Sequence, residues 1–146
     1  MSVPSKVSVA LLIFATTACA AESANDKLAE LRRLPTSERQ LAYHQLSEQE
    51  KVDLFFQANR RHPPYSGLND AISLEGKDFL LRLRVELDER GGVPEVLSFL
   101  NIANDAKNQG QLSHEDVDQL RIKGICHLAQ SSEYCPTLEA ELLGKP

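Results

Sequence analysis

The sequence never gathers the ~20 consecutive apolar residues that a membrane-spanning helix requires. Its apolar run from Val7 to Ala15 is about half that length, which argues against a retained transmembrane helix there and leaves an uncleaved anchor as the minor alternative. Strand signals are scarce too. There is no sustained apolar–polar alternation, no Asn-Gly hairpin turn, and few β-branched runs beyond the first twenty residues. That argues against a β fold. Positive charge is in deficit, with 16 Lys and Arg against 21 Asp and Glu for a net charge of −5. A nucleic-acid partner, whose phosphates call for a basic face, is therefore not expected. The familiar catalytic signatures are missing as well: no Gly-x-Ser-x-Gly elbow, no His-Glu-x-x-His and no glycine-rich phosphate cradle. An enzyme, if there is one, would have to assemble its site from distant residues.

What the chain does contain begins with an address. A short basic start ending at Lys6, the apolar run, and the small residues Thr16-Thr17-Ala18-Cys19-Ala20-Ala21 have the layout of a secretory signal peptide. The expectation is cleavage after Ala20, with residues 1–20 removed and 21–146 left as one exported domain, periplasmic or secreted. A bacterial lipoprotein signal competes, in which Cys19 becomes the acylated first residue and tethers the domain to a membrane. Ala18 suits that reading, whereas Thr16 stands where Leu is usual. Loss of Lys6 leaves 15 cationic side chains against 21 carboxylates.

Of the three cysteines, Cys126 and Cys135 remain in the domain. In an oxidising compartment they are expected to form a disulfide, worth about 2–3 kcal/mol for a loop of that length. Their spacing is not that of a zinc site.

The rest reads as helices. Ser37 to Gln40, Ser47 to Glu50 and Ser113 to Asp116 each place an acceptor three residues after a hydroxyl, the pattern of a capping box. Pro94 and Pro136 suit first helical turns, and Gly76, Gly91-Gly92 and Gly110 suit helix ends. Between these marks, apolar residues recur at three and four. Examples are Val52, Phe55, Phe56 and Asn59 (with Leu41 nearby), then Leu68, Ala71 and Ile72, then Phe79, Leu80, Leu83 and Leu87. Val96, Leu97, Leu100 and Ala103 follow, then Val117, Leu120, Gly124 and Leu128.

The expected fold is all-α, with seven to eight short helices. They would form antiparallel pairs, 37–45 with 47–60, 67–75 with 77–90 and 94–108 with 113–130, in a compact bundle or a short α-solenoid. Glu50 to Phe55, His62-Pro63-Pro64 and Asn69 to Gly76 together resemble a pattern in uncharacterised exported bacterial helical proteins of the HEAT-like kind. The resemblance spans about a fifth of the chain and implies a helical fold without implying an activity.

The most distinctive surface segment is Arg60-Arg61-His62-Pro63-Pro64-Tyr65. Two prolines stiffen it and Tyr65 offers a rigid amphipathic ring, so it loses little freedom on binding. It is a candidate for partner recognition, against the plainer role of a helix connector. His114, Glu115, Asp116 and Asp118 fall where a helix starts and serve the macrodipole better than a metal. His44, His62, His114 and His127 share no ligand spacing, and no metal or cofactor is expected. Arg82, Glu86 and Arg90 sit four apart and should pair along one helix face.

The function these features point to is a small exported helical protein that binds another protein. An inhibitor or immunity protein directed at an exported enzyme is the specific case. The alternatives are an accessory subunit of an envelope assembly, lipid-anchored if Cys19 is acylated, and a hydrolase without a recognisable motif.

Overall fold

A computed structural model of the chain describes residues 26–122 and 135–144. The proposed signal segment, Cys19, Cys126, His127 and the later half of the helix expected over 113–130 lie outside the described residues. So does the side chain of Cys135.

Among the described residues there are eight helices and no strand. In chain order they are α1 (26–33), α2 (Thr36–His44), α3 (Glu48–Asn59), α4 (Asn69–Ser73), α5 (Lys77–Arg90), α6 (Val93–Asn108), α7 (His114–Gln119) and α8 (Cys135–Leu143). The all-α class is the one expected.

Local chemistry explains most of the boundaries. At α3 the Ser47 hydroxyl accepts from the Glu50 N–H at 3.3 Å, and the Ser47 N–H donates to the Glu50 carboxylate at 2.9 Å. Ser113 and Asp116 repeat the exchange at α7, at 3.1 and 2.9 Å. Two orphan backbone donors are satisfied each time. Pro94 lies in the first turn of α6, and Gly76 joins α4 to α5 with φ of +92°, a conformation that side chains with a Cβ resist.

The capping box expected at Ser37 does not form. Helix α2 starts one residue earlier, at Thr36, with Pro35 before it in an extended conformation and no side-chain cap. Proline's fixed φ favours such an entry, and Ser37 is left inside the first turn. Helix α7 stops at Gln119, shorter than the expected 113–130, where the chain turns toward α8 and the Ile122 N–H donates to Glu139 Oε1 at 3.1 Å.

The core gathers around α6. Phe99, Leu100, Ile102, Ala103 and Ala106 are fully buried on it, and α6 packs against α3, α4, α5 and α8. Opposite them lie Phe55 and Phe56 of α3, Ile72 of α4, and Leu80, Leu83 and Leu87 of α5. Each such side chain contributes roughly 1.5–3 kcal/mol on leaving water. Helix α2 packs on α4, yet the residue it buries is Tyr43; Leu41, expected near the core, is 66% exposed.

The mixed charges of α5 tie it to α3. Arg90 Nε pairs with Glu86 at 3.0 Å as expected, but Arg82 turns to Glu48 at 2.7 Å and Gln49 at 2.6 Å. Arg90 also reaches Asp53 at 3.2 Å, and its guanidinium lies 4.2 Å from the Phe56 ring centroid. Helix α8 is held near its C-terminal end, where Lys107 donates to the Leu142 carbonyl at 2.9 Å and Arg121 to that of Gly144. Cations suit those carbonyls because the helix dipole is negative there.

Candidate functional site

The segment from Arg60 to Tyr65 links α3 to α4 and is pinned at both ends. Arg60 donates to Glu95 at 3.0 Å and to the Arg90 carbonyl at 3.0 Å, and it covers the Phe56 ring at 5.1 Å. At the far end the Tyr65 N–H donates to the Ala58 carbonyl at 2.8 Å, and the ring packs half-buried against the core. Between these anchors Arg61, His62, Pro63 and Pro64 are exposed. The His62–Pro63 peptide is cis.

Tyr65 is also a junction with the N-terminal helices. Arg32 of α1 lies 5.2 Å from its ring centroid and Arg39 of α2 lies 5.9 Å away, distances at which a guanidinium is drawn to the π face. Arg39 further donates to the carbonyls of Leu31 (3.1 Å), Leu34 (2.8 Å) and Gly67 (3.3 Å), joining the end of α1 to the segment. Gly67 is needed there. A Cβ on it would fall 2.3 Å from the Tyr65 hydroxyl oxygen. The six residues expected as a recognition surface thus divide, with Arg61 to Pro64 presented to solvent and Arg60 and Tyr65 acting as its moorings.

On the α6 side of the segment lies an open groove of about 440 Å³. Its polar lining is three carboxamides, Asn59, Asn69 and Asn101, with the hydroxyls of Ser66 and Ser98. Pro64, Val93, Pro94 and Leu97 supply the apolar wall. No titratable side chain lines it. Asn59 donates to the Phe55 carbonyl at 2.8 Å, and the Ser98 hydroxyl lies 3.4 Å from Asn69 Oδ1. Exposed Asn101 makes no side-chain hydrogen bond among the described residues. Asn59 and Ser98 are buried and already bonded, so most of the exposed lining is apolar; exposed Asn101 can both donate to and accept from an extended backbone while the apolar wall takes a side chain. It offers hydrogen bonds and apolar contact, with no acid, base or activated nucleophile.

Sequence reasoning missed these asparagines, which come from three elements brought together by packing. A partial signal was present on α6, where Pro94, Leu97, Ser98 and Asn101 recur at helical spacing and form one face.

A cluster of titratable side chains lies elsewhere. Glu75, after α4, is 2.7 Å from the Lys51 ammonium and 2.6 Å from His44 Nδ1. Buried Tyr43 is beside them, with Lys51 5.5 Å from its ring. Burial, and secondarily the Glu75 charge, push the Tyr43 phenol well above its ordinary value. These groups join α2, α3 and α4 and lie outside the groove.

Two partly buried carboxylates are strongly acidic. Glu50 falls from 4.5 to about 2, chiefly through the Lys27 side chain and then the Ser47 cap. Asp116 falls from 3.8 to about 2, chiefly through Lys77 and then the Ser113 cap. Both belong to helix starts. His62 and His114 are exposed on separate elements. Among the described residues no three His, Cys, Asp or Glu side chains are grouped to hold a metal ion, and no helix is long and apolar enough to cross a membrane.

Compared with protein-family models, with curated proteins and with solved structures, the chain finds no match.

Proposed function

We propose that this is an exported binding protein that recognises another protein through the exposed Arg61–Pro64 segment and the groove beside it. The observation that carries the reading is the pairing of an uncharged, largely apolar groove edged by carboxamides with a loop moored at both ends. A loop already held by Arg60 and Tyr65 loses little conformational freedom on association. The groove's chemistry is that of recognition, with donors and acceptors suited to a polypeptide backbone.

The compartment is the one implied by a signal over 1–20, with Cys19 acylation as the membrane-tethered variant. An inhibitor or immunity role toward an exported enzyme is the specific case, and the Cys126–Cys135 disulfide belongs to the same oxidising setting. The placement of α6 against α3, α4, α5 and α8 supports a compact bundle over a row of stacked pairs.

The test is native affinity capture with the domain and with Asn101→Arg, which places a long cation in the groove while leaving the core untouched. The expected result is a stoichiometric protein partner with the parent chain and its loss with N101R. Recovery of no partner, or of the same partner undiminished by N101R, overturns the proposal.

A further inference from the structure

We infer that the partner segment received by this face is acidic: an extended polypeptide whose carboxylates meet Arg32, Arg61 and His62 while its uncharged part lies in the groove. The inference rests on the protein-binding reading above and adds the chemistry of the ligand.

The observation is where the unpaired positive charge sits. Eight of the described lysines and arginines lie within 3.9 Å of a carboxylate oxygen. Arg39 and Lys107 are engaged by backbone carbonyls. Arg32, Arg33 and Arg61 remain, all exposed, with no carboxylate partner among the described residues. His62, also exposed, is in the same condition. Exposed Glu30 on α1 and Glu38 on α2 form no ion pair with any of them among the described residues.

Tyr65 links the arginines of α1 to the loop. Arg32 lies over the Tyr65 ring, and chain connectivity holds Arg61 within about 14 Å of Tyr65. A place near the end of α1 is explained for Arg32 and Arg33 by the helix dipole, but that does not account for Arg61 and His62 on the loop. A chain of net charge −5 therefore presents unpaired arginines both on the segment beside the groove, at Arg61, and on the helix end that packs against its Tyr65, at Arg32.

A polypeptide satisfies both features together. A bilayer surface offers anions but cannot enter a groove walled by Pro64 and Leu97. Three arginines are also far fewer than the phosphate contacts of a nucleic-acid face.

The test uses three fluorescein-labelled dodecapeptides with a central Pro-Leu, alternating Ala with Glu, Gln or Lys, read by anisotropy at low and physiological salt. The parent chain, the double variant R32E/R61E and N101R are compared, with circular dichroism to establish that each is folded. The Glu peptide should bind roughly tenfold tighter than the Gln peptide at low salt, and the gap should close with added salt and in R32E/R61E. N101R should weaken both.

Equal binding of Glu and Gln peptides, with N101R still weakening both, overturns the inference and leaves the groove reading standing. Absence of Glu-peptide binding overturns the inference, and the reading falls with it only if N101R also leaves the captured partner unchanged. Association with phosphatidylglycerol vesicles in place of the peptide, lost in R32E/R61E, overturns it in favour of a membrane surface.

Discussion

The Lys51 ammonium lies 2.7 Å from a Glu75 carboxylate oxygen, with the two side chains only 10% and 13% exposed. A pair so withdrawn from water is asymmetric toward mutation. Glu75→Ala leaves the largely buried Lys51 charge without its carboxylate and should cost about 2–3 kcal/mol. Lys51→Met keeps the apolar stem against Tyr43, and Glu75 retains His44 at 2.6 Å, so the cost should stay below about 1 kcal/mol. Urea midpoints at neutral pH measure the difference; equal losses would count against the asymmetry.

Tyr43 is fully buried, and its hydroxyl has no hydrogen-bond partner among the described residues. A buried donor left unmade costs about 1–3 kcal/mol. Tyr43→Phe is accordingly expected to raise stability by about 1 kcal/mol. The pH dependence follows from the same burial. The folded phenol holds its proton above the ordinary 10, so the unfolded chain loses that proton first. Stability is full below about pH 10 and falls as pH rises beyond it. The Phe variant should be flatter over that range. A variant less stable than the parent would show that the hydroxyl is bonded.

At the acid end the sign reverses. Glu50 and Asp116 are both depressed to about 2 in the folded chain, from 4.5 and 3.8. The unfolded chain then takes up protons first as pH falls, so their contribution is complete above about pH 4.5 and disappears toward pH 2. Lys27→Met and Lys77→Met should each shallow the loss between those limits, read as the urea midpoint against pH. An unchanged slope would mean the lysines do not hold the carboxylates.

Gly67→Ala forces its methyl into the Tyr65 ring, whose Cζ would be 2.4 Å away. Overpacking of that kind costs about 1–3 kcal/mol. In a Tyr65→Ala background the obstacle is gone and the same change should cost much less. A double-mutant cycle reads the coupling directly. Additive effects would place the Tyr65 ring elsewhere.

Elements whose signals are local were legible. Ser47 with Glu50 and Ser113 with Asp116 form the boxes their spacing announces, and Gly76 and Gly110 break helices with positive φ. Where two local signals compete, pattern alone misleads. Pro35 takes the start of α2 from Ser37. Partner choice across helices is not legible at all. Arg82 has Glu86 four residues away, yet it pairs with Glu48, because α3 and α5 lie side by side. The groove is the extreme case. Asn59, Asn69 and Asn101 read separately as helix ends and a helix surface, and only long-range packing makes them one lining.

Helix α6 forms one wall of the groove and also packs against four other helices. A molecule seated there draws on the cooperative unit of the whole domain. Ligand at a hundredfold excess over its dissociation constant adds about 2.7 kcal/mol to the folded state, which should move a melt by on the order of 10 °C. The domain thus carries its own assay: melting curves recorded against fractionated envelope extracts would rank ligands by heat alone, before any of them has been given a label or a name.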